Sequence, residues 1–144
     1  MLLSVLIGLL FLLHPVAVSA SLLHLEGPVP TDLAMRGGPL AGCATEAHCR
    51  REEWAVSDPR AALEGLLPAV LALDGVSLLE SRADYLHATL TSRLFGFVDD
   101  LELHADAARG VLEARSVSRL GDSDLGVNAR RLATLHQALI DAAA

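Results

Sequence analysis

Between Val76 and Val117 the apolar residues recur with a period of two through four successive stretches, and this pattern constrains the fold more than any other feature. The stretches are Val76 to Ser81, Tyr85 to Ser92, Phe97 to Ala105 and Val111 to Val117, separated only by short polar or Gly-containing turns. Parallel neighbours need a long crossover, so connections this short predict an antiparallel meander. A helix is expected before the meander. Ser57-Asp58-Pro59 is a start signal, with Asp58 as cap and Pro59 in the first turn. Leu63, Leu66, Leu67, Val70 and Leu71 follow at the spacing of one buried helical face, and Pro68 predicts a kink or an early end. A second helix is expected from about Gly126 to Ala142, with Leu132, Leu135 and Leu139 as its buried stripe. The expectation is an α+β domain over residues 57–144, ordered α-β-β-β-β-α: a four-stranded antiparallel meander with two helices on one face.

Residues 21–56 are punctuated by Gly27-Pro28, Pro30, Gly37-Gly38-Pro39 and Gly42, and read as an extended loop or linker. Ahead of it, Leu2 to Leu13 is a nearly unbroken apolar run, followed by His14-Pro15 and the small residues Val18-Ser19-Ala20. Residues 1–20 are therefore expected to be a secretory signal peptide, with an uncleaved membrane anchor through residues 2–23 as the alternative. Both readings place the domain outside the cytoplasm, in the periplasm or an equivalent space, soluble or tethered. No Arg or Lys precedes the apolar run, which departs from an ordinary signal. Cys43 and Cys49 are the only cysteines, and in an exported chain such a close pair most simply forms a disulfide. A redox dithiol would use Cys-x-x-Cys, and a zinc site recruiting His48 would lack a second ligand cluster.

Charge and composition exclude several functions. The chain holds 11 basic residues, all arginine, against 18 acidic ones, for a net charge of −7. This is the wrong sign for a general nucleic-acid binder, and the few aromatic residues give no base-stacking platform. The absence of lysine removes Schiff-base and P-loop chemistry. Asp122, Asp124 and Asn128 alternate as in a calcium loop, but the position for a bidentate glutamate is Ala133. Gly121-Asp122-Ser123 lacks the context of a nucleophile elbow. No metal or cofactor is implied.

The polar residues concentrate at one end of the expected sheet. The third stretch places Phe97, Asp99, Leu101 and Leu103 on one face, so Asp99 is expected to point inward and to need a partner. Asp100, Glu102, His104 and Asp106 fall on the other face, which reads as solvated. Asn128 and Arg131 extend the buried stripe of the last helix, and Asp124 is its candidate cap. Arg115, Ser116, Ser118 and Arg119 close the fourth stretch.

Three ordered blocks carry a resemblance. Leu94-Phe95-Gly96-Phe97-Val98-Asp99-Asp100, then Arg115 to Gly121, then Ser123 to Asn128 with Arg131, together resemble the domain-of-unknown-function family 1499 over about residues 43–139. Its members occur in bacterial exported or membrane-associated proteins and in plant chloroplasts. The family usually has Pro-Asn-Cys-Val-Ser-Ser at its second cysteine; here the stretch is Ala47-His48-Cys49-Arg50-Arg51-Glu52. The resemblance implies no activity.

The reading that best fits these residues is a non-catalytic binding or interaction module. Arg115, Arg119, Arg130, Arg131 and Asn128 are its ligand-binding candidates, suited to a small anionic ligand. Alternatively, these arginines neutralise Asp99 and Asp124 in a fixed network with Ser116 and Ser118. Two other functions remain open. One is an enzyme using Asp99 or Asp100 as acid or base, with His104 or His87. The other is a membrane-tethered assembly factor, its protein partner unspecified.

Overall fold

A computed structural model describes residues 22–34 and 37–144, so the apolar run at 2–13 and its cleavage point lie outside the described residues. The elements run β1 (Cys49–Ala55), α1 (Pro59–Leu71), β2 (Val76–Ser81), β3 (Tyr85–Thr91), β4 (Val98–Asp106), β5 (Val111–Ser118) and α2 (Val127–Ala143). The architecture is α+β, and the sheet has five strands, not four, in the order β1-β5-β4-β3-β2, with every pair antiparallel. The additional strand, β1, comes from the expected linker and pairs with β5 from Cys49↔Val117 to Ala55↔Val111. Its sequence, Cys-Arg-Arg-Glu-Glu-Trp-Ala, puts charge on both faces and so shows no period-two apolar signal. That is how an edge strand avoids pairing with other chains.

Helix α1 starts as its sequence dictates: the Asp58 carboxylate accepts from the Arg60 and Ala61 backbone N–H groups at 3.1 Å each. Pro68 lies in the last turn, and the helix ends at Leu71. Leu63, Leu66 and Val70 are buried, while Leu71 is exposed. Each such buried side chain contributes about 1.5–3 kcal/mol of transfer free energy. They pack with Leu132 and Leu135 of α2 on the sheet face formed by Leu86, Ala88, Leu101, Leu103, Leu112 and Ala114. The register places Leu103 between Leu86 and Ala114, so these residues form one continuous apolar layer. At its β1 edge the Trp54 ring stacks on His136 of α2 with centroids 4.9 Å apart.

The opposite sheet face is not solvated. Described residues of the segment before β1 cover it: Ala34 N–H donates to Glu102 (2.7 Å) and Leu40 N–H to Glu113 (3.0 Å). Asp32 pairs with Arg115 at 2.8 Å. Asp100, Glu102 and His104, expected to face water, are consequently 0%, 1% and 8% exposed. The disulfide Cys43–Cys49 is formed and joins this covering segment to the first residue of β1. The molecule therefore has three layers: helices, sheet and covering segment.

Candidate functional site

Alternation along β4 and β5 sends neighbouring polar side chains to opposite faces, which produces two separate assemblies. On the helix side, Asp99 Oδ2 accepts from Arg131 Nη2 at 2.9 Å. Arg131 Nη1 also reaches Ser116 Oγ (2.8 Å) and Asn128 Oδ1 (2.9 Å). Ser116 Oγ donates to the same Asn128 oxygen at 2.6 Å. The Asn128 amide donates to Ser118 Oγ, Asp124 Oδ2 and the His48 carbonyl. Fully buried Asn128 thus stitches α2, the end of β5 and the segment entering β1 together.

Asp124 organises the start of α2 from two residues before the cap position, which is Gly126 in a left-handed conformation. Its carboxylate accepts from the backbone N–H of Gly126 (2.7 Å) and of Asn128 (3.2 Å). Burial raises its pKa, but hydrogen bonds from the Asn128 side chain and these backbone groups outweigh that and hold it below the usual carboxylate value. Asp124 is therefore not the cap residue expected from sequence: the cap is Gly126, which has no side-chain cap bond, and Asp124 braces the helix start from outside it.

Beside this cluster, the ends of β3, β4 and β5 and the first turn of α2 enclose a cleft of about 460 Å³. Its walls are chiefly apolar, with Leu90, Phe95, Phe97, Leu120, Leu125 and Val127. Asp99, Ser118, Asp124 and Arg131 of the cluster, together with Asp74, Thr91, Ser92 and Ser123, supply the polar part of its lining. The shape matches the usual form of a small-molecule site: a mostly apolar concavity with a few fixed polar groups. Leu125 adopts φ +54° and is 84% exposed, so a left-handed leucine is displayed at the rim without compensating burial.

Across the sheet, each buried carboxylate is closed by several donors. Arg119 holds Asp100 through two bonds, Nε to Oδ2 (2.7 Å) and Nη2 to Oδ1 (3.0 Å). His87 Nε2 lies 2.8 Å from Oδ1 and acts as a donor when Asp100 is ionised. Burial pushes the Asp100 pKa up, but the hydrogen bonds from His87 and Arg119 prevail and keep it below the ordinary value. Glu102 accepts from the Tyr85 hydroxyl (2.7 Å) and Arg115 Nη1 (3.2 Å). Burial, and then that bond to Glu102, raise the Tyr85 pKa. Glu113 meets His104 Nδ1 at 2.8 Å and Arg51 Nη2 at 2.7 Å. Neither Asp100, Glu102 nor Glu113 lines the cleft.

The candidates expected to converge are therefore divided by the sheet. Asp99, Ser116, Ser118, Asp124, Asn128 and Arg131 gather at the cleft, whereas Arg115 and Arg119 sit in the far layer holding Glu102 and Asp100. Arg130 is exposed and outside the cleft lining, with Nη1 donating to the Leu125 carbonyl at 2.9 Å. The sequence reading missed Phe95, Phe97, Leu120 and Leu125 as site residues. The signal for Phe95, Leu120 and Leu125 was apolar side chains in turns, where burial by secondary structure cannot explain them, whereas Phe97 was assigned to the inward face of a strand. Among the described residues no group of His, Cys, Asp and Glu is arranged to hold a metal ion.

Residues 17–139 match the family described as Protein of unknown function (DUF1499). No curated protein matches the chain.

Proposed function

The chain belongs to the DUF1499 family, and from that premise we propose that it is a non-catalytic binding module of an exported or membrane-anchored protein. Its site is the cleft between the sheet end and α2. The observation that carries this reading is the pairing of apolar walls with an Asp99–Arg131 floor held rigid by Ser116 and Asn128. Preorganised polar groups in a mainly apolar concavity suit a ligand with an apolar body and one polar end. Arg115, Arg119 and Arg131 each already hold a carboxylate, and Arg130 lies outside the cleft lining, so the polar end of that ligand need not be anionic. An acid–base enzyme is less supported, because Asp100 and His87 are enclosed and Asp99 has no histidine partner.

The test is binding of the uncharged apolar dye N-phenyl-1-naphthylamine, with native mass spectrometry of the freshly isolated protein. We expect saturable fluorescence enhancement and a retained small molecule, both lost in Val127→Trp, which fills the cleft mouth from a half-exposed position. Absence of dye binding and of any retained mass in the folded wild-type protein would sink the proposal.

A further inference from the structure

One end of the molecule carries a cap of exposed apolar side chains drawn from three separate segments. The covering segment contributes Leu22 (77% exposed) and Leu23, the β3–β4 turn contributes Leu94 and Phe95, and the β5–α2 loop contributes Leu120 and Leu125. These segments are held together by close contacts. Leu25 N–H donates to the Phe95 carbonyl at 3.2 Å. Gly96, at φ +68°, lets the Leu23 carbonyl approach so closely that a Cβ there would clash with it. Gly27 packs on Leu120 in the same way. The opposite end, at the β4–β5 turn, carries Asp106, Ala107, Ala108 and Arg109 instead. Contiguous exposed apolar patches mark interaction surfaces, because water penalises them and packing does not require them.

We propose that this cap is a lipid-facing surface, seated in the interfacial region of a bilayer. Its place in the chain selects lipid over other partners. Leu22 follows the apolar run Leu2 to Leu13 by a stretch that spans at most about 30 Å when fully extended. Whatever membrane that run engages is therefore within reach of this end of the domain. The charge nearby is balanced, with Asp74 paired to Arg93, and exposed Arg130 beside Leu125 offset by exposed Asp122. The contact consequently depends on apolar insertion rather than on attraction to anionic headgroups, and it favours a zwitterionic surface. The inference rests on residues 2–13 being retained as an anchor rather than cleaved; it does not require an occupied cleft.

Depth-dependent fluorescence quenching of the full chain in phosphatidylcholine vesicles tests it, with brominated acyl chains as the quencher. Trp54 is the only tryptophan and pairs with Leu112 toward the far end of the sheet, so the native protein supplies an internal control. Phe95→Trp is expected to lose most of its added emission to brominated lipid. Ala108→Trp at the opposite turn, and Trp54 itself, are expected to lose little. Leu94→Asp combined with Leu125→Asp is expected to restore the Phe95→Trp emission, and added salt to leave it unchanged. Equal quenching at positions 95 and 108 overturns the proposal, because the domain would then have no preferred face. An unquenched Phe95→Trp also overturns it, including the case where concentration-dependent dimerisation or the chain's own apolar run shields the cap. If the cap fails this test while the dye still binds the cleft, the binding-module reading survives without the membrane surface.

Discussion

Asp99 and Asp100 are adjacent residues on one strand, yet they occupy opposite kinds of site. Asp100 is fully enclosed and takes bonds from both Arg119 and His87. Asp99 takes one bond from Arg131 and lines an open cleft. Pleat geometry turns them to different faces, and those faces differ in what covers them. The far face is roofed by a segment that donates its own N–H groups to carboxylates, whereas the near face is left uncovered where α2 begins. A buried charge must be closed on all sides to be tolerated, so the closed assembly is architecture and the open one is available to a partner.

The comparison breaks most directly under truncation. Asp100→Ala leaves Arg119 buried without its main partner and is expected to cost about 3–5 kcal/mol in urea unfolding. Asp99→Ala, beside a cleft where water can replace the lost acceptor, is expected to cost about 1–2 kcal/mol and to abolish cleft binding. Equal losses in stability would show that both carboxylates belong to one structural network. The roof itself can be tested at its closest approach. Gly96→Ala meets the Leu23 carbonyl, while Gly110→Ala has a similar φ of +65° but only an ordinary 3.7 Å contact. Gly96→Ala is expected to be the worse of the two by about 2 kcal/mol or more, because it adds a clash to the backbone strain both share. Replacing Cys43 and Cys49 by serine is expected to lower stability by about 2 kcal/mol through lost loop constraint.

Acid should remove the contribution of Asp100. Because the folded-state pKa of Asp100 is depressed, its contribution is present above the ordinary carboxylate range and is lost as pH falls through the lower folded value. Urea midpoints measured downward from pH 5 are expected to fall more steeply in wild type than in Asp100→Asn. The smallest expected effect is at the rim: Leu125→Ser should change stability by less than about 0.5 kcal/mol, since this leucine is mostly in water. A stability loss well beyond that would mean the rim leucine is structural.

Strands β2 to β5 and both helices were legible because their apolar residues keep time with the backbone period, and because Asp58-Pro59 marks the start of α1. Strand β1 was not legible: Arg50, Arg51, Glu52 and Glu53 hide its alternation, and only pairing with β5 makes it a strand. Asp99 facing inward with an arginine partner was readable from parity, and Arg131 is that partner. The burial of Asp100, Glu102 and His104 was not readable, since parity gives a face but not what lies over it. The segment that covers them has no period of its own, being held by individual bonds donated by the Ala34 and Leu40 N–H groups and by Asp32 accepting from Arg115.

By itself the sequence determined the meander, the two helices, the bonded cysteine pair and the family, because these depend on local periodicity, local chemistry and ordered motifs. Tertiary structure alone decided which carboxylates are sealed and where the cleft opens. Both depend on residues such as Asp32 and Arg115, or Phe95 and Val127, that are far apart in the chain and meet only when the layers close.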